Sequence, residues 1–152
     1  MTSIVVLDTS VLGLLCSSPL LPAVAACRAW LLRLDEAGVE VVIPEITVYE
    51  LRRELIRIRA NMKLDRLQEL LGDPGPVEVS PQAWLKAAEF WAFVRSVGKP
   101  TADRHSLDGD AILAGVAATI GRLGDQVAIA TTNVGHLSRF PGVDARRWES
   151  IP

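Results

Sequence analysis

Apolar residues in this chain fall into short β-branched runs separated by longer stretches of helical period. The first run, Ile4-Val5-Val6-Leu7, stops abruptly at Asp8-Thr9-Ser10. Such a run predicts a parallel strand buried on both faces. Val39–Ile43, closed by Pro44, predicts a second strand, and Val77-Glu78-Val79 a short third. Val127–Ala130 predicts a fourth, and Ala145–Trp148 a last edge strand. Between them, Ser10–Cys16 reads as a short helical segment. Pro22 opens a helix over Ala23–Ala37, with Val24, Cys27, Leu31 and Leu34 apolar and Gly38 as its terminator. Glu45–Leu71 is mostly helical, with Leu51, Leu55, Ile58 and Met62 on one face; a change of register at Asn61 predicts a break between two helices. Gly72–Pro76 is a turn. Pro81 starts a helix through Val97 with a stripe of Trp84, Ala87, Ala88, Trp91 and Val94. Gly98–Ser106 reads as a polar connection, and Leu107–Ile120 as a helix of small residues suited to close packing. A strand, a helix-length connection and another strand make a right-handed parallel βαβ unit. With no repeat or linker in view, residues 1–152 form one three-layer α/β/α domain.

Composition narrows the functional classes. The chain has 152 residues, 49% of them hydrophobic and 22% charged, enough for its own core and incompatible with global disorder. A net charge of −2 gives no chain-wide attraction to nucleic acid, so any phosphate-binding surface must be local. The two cysteines, Cys16 and Cys27, lie in apolar surroundings without zinc-ligand spacing and read as buried and reduced, as in the cytoplasm. The start of the chain lacks a basic leader region. The uncharged stretch from Thr9 to Cys27 is broken by Ser17-Ser18-Pro19 and Pro22, which argues against a membrane span.

The candidate chemistry is acidic. Asp8 ends the first strand, Glu50 sits early in the helix after the second, and Asp108 and Asp110 open the helix before the fourth. Thr131-Thr132-Asn133 ends that fourth strand. All these places fall near the carboxyl edge of a parallel sheet, where open α/β folds bind ligands. Each residue has an ordinary alternative. Asp8, Asp108 and Asp110 could cap helices, Glu50 could be a solvated helix carboxylate, and Asn133 a routine turn residue. Their joint placement favours a hard divalent cation, because converging carboxylates repel one another unless a cation joins them. Arg52, Arg59, Lys63 and Arg66 fall on one ideal helical face and could follow a phosphate backbone. Interspersed Glu54, Asp65 and Glu69 allow a plain solvated face instead. His136 could touch phosphate or pack beside the site; its surroundings in sequence name no partner for it.

The strings VVLDTSVL, YELRRE, LDGDAILAGVA and ATTNVGHLSRFPGV, in this order and spacing, make the chain resemble the PIN-domain family, in particular the VapC-type ribonuclease toxins. The resemblance spans nearly the whole chain. It implies a five-stranded parallel sheet of order 3-2-1-4-5 and a site for Mg²⁺ or Mn²⁺ on Asp8, Glu50 and Asp110. Asp108 is then a further metal-site acid, and Ser10 and Asn133 support the site. The activity implied is metal-dependent endonucleolytic hydrolysis of RNA phosphodiester bonds. The partners implied are an RNA substrate, a cognate antitoxin protein and a second copy of the chain. The family commonly carries another aspartate after the fourth strand; here Asn133 and His136 stand there, and no aspartate follows until Asp144. That departure leaves the number of metal ions open and supports an alternative, a catalytically inactive PIN-like module that binds RNA or protein. A haloacid-dehalogenase-type phosphatase would need a second aspartate where Ser10 stands.

Overall fold

The computed structural model describes residues 2–73, 75–97 and 104–152, and the side chains of all these except 104–106. Strand β1 (Ser3–Leu7) lies at the centre of a parallel sheet, flanked by β2 (Glu40–Val42) and β3 (Gln126–Thr131), with β4 (Ala145–Arg147) beyond β3. The order is β2-β1-β3-β4. Alternation along β1 sends its side chains into two separate cores. Ile4 and Val6 join Ile129, Phe90, Ala111 and Ala114 on one face. Val5 and Leu7 join Ala130, Val11, Cys27 and Trp30 on the other. The first face is covered by α5 (Pro81–Val97) and α6 (Arg104–Ile120), the second by α1 (Thr9–Leu15) and α2 (Pro22–Glu36). This is the expected three-layer arrangement. A third cluster, Leu12, Cys16, Val48, Leu51, Leu55 and Leu67, seats α3 (Glu45–Arg57) and α4 (Asn61–Leu71) on α1. The short α7 (Val134–Leu137) follows β3. No helix among the described residues is long and apolar enough to cross a membrane.

The sheet has four strands, not five. Val77 makes only an isolated parallel bridge to Pro44, through Val77 N to Ile43 O at 2.9 Å and Glu45 N to Val77 O at 2.8 Å. Pro44 and Pro76 lack the N–H groups that would carry the ladder further. The remaining order is the expected one without its outer strand.

Two apolar stripes also differ from expectation. In α5 the buried positions are Ala83, Ala87, Phe90 and Val94, whereas Trp84 and Trp91 are exposed. The reason lies in α6: a Cβ placed on Gly115 would come within 2.5 Å of Ala83 O and 2.9 Å of Ala87 N. The two helices approach through their smallest residues, which turns the tryptophans outward. In α3–α4, Leu51 and Leu55 are buried but Ile58 and Met62 are exposed. The helix ends at Arg57 and the chain turns through Arg59 in a left-handed conformation, φ 55°. The break thus falls just before Asn61, which opens α4. Most of the expected polar connection Gly98–Ser106 lies outside the described residues, as does Pro74 of the turn at Gly72–Pro76; Arg104–Ser106 already belong to α6.

Candidate functional site

β1 leads through α1 and α2 to β2 on one side, and the chain later returns to β3 on the other. The direction of the sheet therefore reverses between β1 and β3, the place where α/β folds open a crevice for ligands. Asp8 stands at that point. Its N–H donates to Ala130 O at 3.0 Å, locking it to the end of β3. Its carboxylate accepts from the Thr9 N–H at 2.7 Å, from the Thr131 hydroxyl at 2.7 Å and from the Ser10 hydroxyl at 3.2 Å. Asp8 does cap α1, as the ordinary reading proposes, and the buried Thr131 and the exposed Ser10 also orient it toward the crevice.

Glu50 reaches the same crevice from α3, where its Oε1 accepts from the Thr9 hydroxyl at 2.9 Å. Asp110 reaches it from α6. The residue between Asp108 and Asp110 makes this possible: a Cβ on Gly109 would lie 2.8 Å from Glu50 Cδ. With glycine at 109, α6 brings Asp110 in beside the Glu50 carboxylate without displacing it. Burial, and then the charges of Asp110 and Asp8, holds the Glu50 carboxyl above its ordinary range, against the opposing Thr9 hydroxyl and Arg53. Burial and the Asp8 charge do the same to Asp110, against Arg139 and His136. The three carboxylates expected at the site are thus brought within electrostatic reach of one another.

Asp108 is not brought in. Two positions before Asp110 on a helix, it points elsewhere and is exposed. It lines an apolar groove of about 370 Å³ between α5 and α6, with Trp84, Trp91 and Ile112. Asn133 precedes α7 and is exposed; its N–H donates to the Thr131 hydroxyl at 3.0 Å, so its backbone supports the site through Thr131. Arg52 and Arg59 are exposed and Lys63 lies beyond the helix break. The break splits the basic stripe.

Two contributors, Arg53 and Arg139, went unread in the sequence, and two more were read only as hydroxyls near the sheet edge. Thr9 and Thr131 were visible as hydroxyls at strand ends, but hydroxyls are common there. Arg53, three residues after Glu50 on the same helical face, lies 3.9 Å from it and stacks 5.1 Å from the centroid of the exposed Tyr49 ring. Arg139 donates from Nη2 to Asp110 Oδ2 at 3.2 Å, and His136 Nδ1 lies 3.6 Å from the same oxygen. Nothing in the string SRFPG points back to Asp110.

The donor set is all oxygen, which suits a hard divalent ion. Among the described residues, no group of three or more His, Cys, Asp or Glu side chains is arranged to hold a metal ion by itself. Mg²⁺ does not require such a group, since it keeps several waters and takes one or two protein carboxylates. The residues present therefore fit such an ion.

No protein-family model matches the chain, and no curated protein does. Solved structures do. A chain of VapBC2 from Rickettsia felis, bound to a DNA fragment from their promoter, aligns at 15% identity over 95% of this chain and 98% of its own, with a TM-score of 0.71. VapBC-1 from nontypeable Haemophilus influenzae aligns at 16% over 96% and 98%, TM-score 0.69. FitAcB from Neisseria gonorrhoeae aligns at 21% over 97% and 99%, TM-score 0.65. Nearly full coverage in both directions at these identities establishes the architecture: the chain has the PIN-like α/β fold found in chains of the VapBC and FitAB complexes.

Proposed function

We propose that this chain is a divalent-metal-dependent endoribonuclease and the toxin of a toxin–antitoxin pair. The observation that carries the reading is the meeting of Asp8, Glu50 and Asp110, from three separate elements, at the point where the sheet reverses. Carboxylates forced together in this way are stabilised by a cation. Asp8, Glu50 and Asp110 would hold Mg²⁺ or Mn²⁺, which when bound supplies charge neutralisation at a phosphodiester and an activated water. The chain's own part is to orient these groups. Thr9 spans Asp8 and Glu50, since its N–H donates to one and its hydroxyl to the other. Thr131 and Ser10 fix the second oxygen of Asp8. The likeness to complexes that contain a partner protein supports a cognate antitoxin as partner and a cytoplasmic setting. Cleavage of a structured RNA with Mg²⁺, and its loss with chelator and in Asp8→Asn and Asp110→Asn, tests the reading. Wild-type cleavage rates in either variant would exclude this site.

One observation favours the alternative of an inactive binding module: Asp110 already has a cation, Arg139, and no three acidic, His or Cys side chains among the described residues are arranged to hold a metal ion. Mn²⁺ calorimetry separates the two. Binding in the wild type that is lost in Asp8→Ala supports the nuclease, and a chain that binds RNA but no Mn²⁺ supports the module.

A further inference from the structure

We infer that Arg139 is the second cation of the site, so that the chain holds one divalent ion beside a fixed guanidinium rather than two ions; this rests on the proposed metal site above. Thr131–Phe140, the segment that borders the crevice from the β3 side, contains no Asp or Glu. It presents Arg139 instead, and holds it from three directions. Its Nε donates to His136 O at 2.7 Å. Its guanidinium carbon lies 5.7 Å from the Phe140 ring centroid, and that ring is buried against Phe90, centroid to centroid 5.4 Å. Its Nη2 donates to Asp110 Oδ2 at 3.2 Å. A long side chain held in this way has already lost most of its rotamer freedom, which an exposed ion pair seldom repays. The arrangement therefore pre-organises a charge at a defined place.

Charge balance gives that placement a consequence. Arg53 stands 3.9 Å from Glu50 with its side chain mostly in solvent, where its charge is screened. At the centre, three ionised carboxylates are matched by one divalent ion and the Arg139 guanidinium, and a second ion would leave the cluster positive and would have to approach Arg139. Arg139 uses Asp110 Oδ2, and among the described residues Asp110 Oδ1 has no protein partner. Nη1 of Arg139 likewise makes no hydrogen bond among the described residues. A guanidinium anchored at one end with N–H groups to spare is suited to a phosphate oxygen, which it can grip through two parallel bonds. Arg139 thus repels a metal ion and attracts the RNA backbone, and those two effects have opposite signs when the charge is removed.

The test is Mn²⁺ calorimetry together with binding of a single-stranded RNA oligonucleotide in Ca²⁺, on wild type, R139Q and R139K. The wild type is expected to bind one Mn²⁺ per chain. R139Q is expected to bind Mn²⁺ about three- to tenfold more tightly, because a nearby positive charge is gone. Its RNA affinity should fall about tenfold, with the log–log salt slope flatter by about 0.7. R139K should keep the single-ion stoichiometry and an intermediate RNA affinity. If R139Q weakens Mn²⁺ and RNA binding together, Arg139 only braces Asp110 and the inference fails. Two Mn²⁺ of similar affinity per wild-type chain would also overturn it, whether or not R139Q folds. A folded wild type that binds no Mn²⁺ overturns the metal-site reading itself, and this inference with it.

Discussion

A carboxylate buried beside two others resists ionisation until a cation arrives, and this is the state of Glu50 and Asp110 in the metal-free chain. Both carboxyls are held above their ordinary range. In the window between that range and the raised folded values, the folded chain holds more protons than the unfolded one. Stability is therefore lost as pH rises through the window, and the loss is complete above it. Thermal unfolding in chelator at pH 5 and pH 7.5 should show this. Asp110→Asn should gain stability relative to wild type on going to the higher pH, and a constant difference would mean that Asp110 ionises freely. The same protons must leave when metal binds, so Mn²⁺ affinity should weaken toward acid. Gly109 gives a test that leaves every charge in place. In Gly109→Ala the new Cβ meets the Glu50 carboxylate and must push it aside. Displacing a group that orients a metal site costs about 10–100-fold in affinity, so Mn²⁺ binding should fall by that factor. Unchanged binding would show that Glu50 is not a ligand.

At the scale of elements, the strands were readable because a run such as Ile4–Leu7 has to be buried on two faces, and only a central parallel strand offers that. The helix starts at Pro22 and Pro81 were readable because proline fits the first turn and nowhere later. What escaped reading was relational. The orientation of α5 depends on Gly115, on a different helix and more than twenty residues away in sequence, and large apolar residues such as Trp84 suggested the wrong face. The third strand failed for a local reason that prolines do signal, but its effect on a ladder shows only once a neighbour is known. Two glycines test the packing account in opposite directions. Gly115→Ala should destabilise by about 1–3 kcal/mol, because its Cβ would meet backbone atoms that cannot yield. Gly13→Ala, inside α1 with only ordinary contact to Leu51 Cδ1 at 3.4 Å, should stabilise by up to about 1 kcal/mol through helix propensity. Chemical denaturation of both variants checks the pair, and equal effects would show that the closeness of α5 and α6 is not what limits position 115.

At the scale of the whole molecule, a net charge of −2 leaves RNA binding to cations placed locally. The sequence offers Arg52, Arg59 and Lys63 as one face, which requires an unbroken helix. The fold denies it: Arg59 sits at φ 55° in the link between α3 and α4, and Lys63 is on the second helix, where its charge is felt by the buried Cys16 together with those of Arg28 and Arg66. Cations that do border the crevice among the described residues include Arg53, beside Glu50, and Arg139, beside Asp110. The carboxylates were legible because Asp8 follows a strand end and Glu50 and Asp110 lie on helices next to strands, although α6 begins at Arg104, so Asp108 and Asp110 sit inside that helix and do not open it. These arginines were not, because their partners lie on the fold rather than in the adjacent sequence. The expected outcome is a contrast between two sets of substitutions, read by binding of a single-stranded RNA in Ca²⁺ at several salt concentrations. The triple change Arg52→Ala, Arg59→Ala and Lys63→Ala should leave the log–log salt slope nearly unchanged. Arg53→Ala alone should flatten it by about 0.7, the share of one phosphate contact on a single strand. Screening over about 10 Å at 0.1 M salt keeps the distant charges from substituting for the near one. A slope lost in the triple variant and kept in Arg53→Ala would move the RNA path off the crevice and along α3 and α4, and would restore the stripe that the helix break divides.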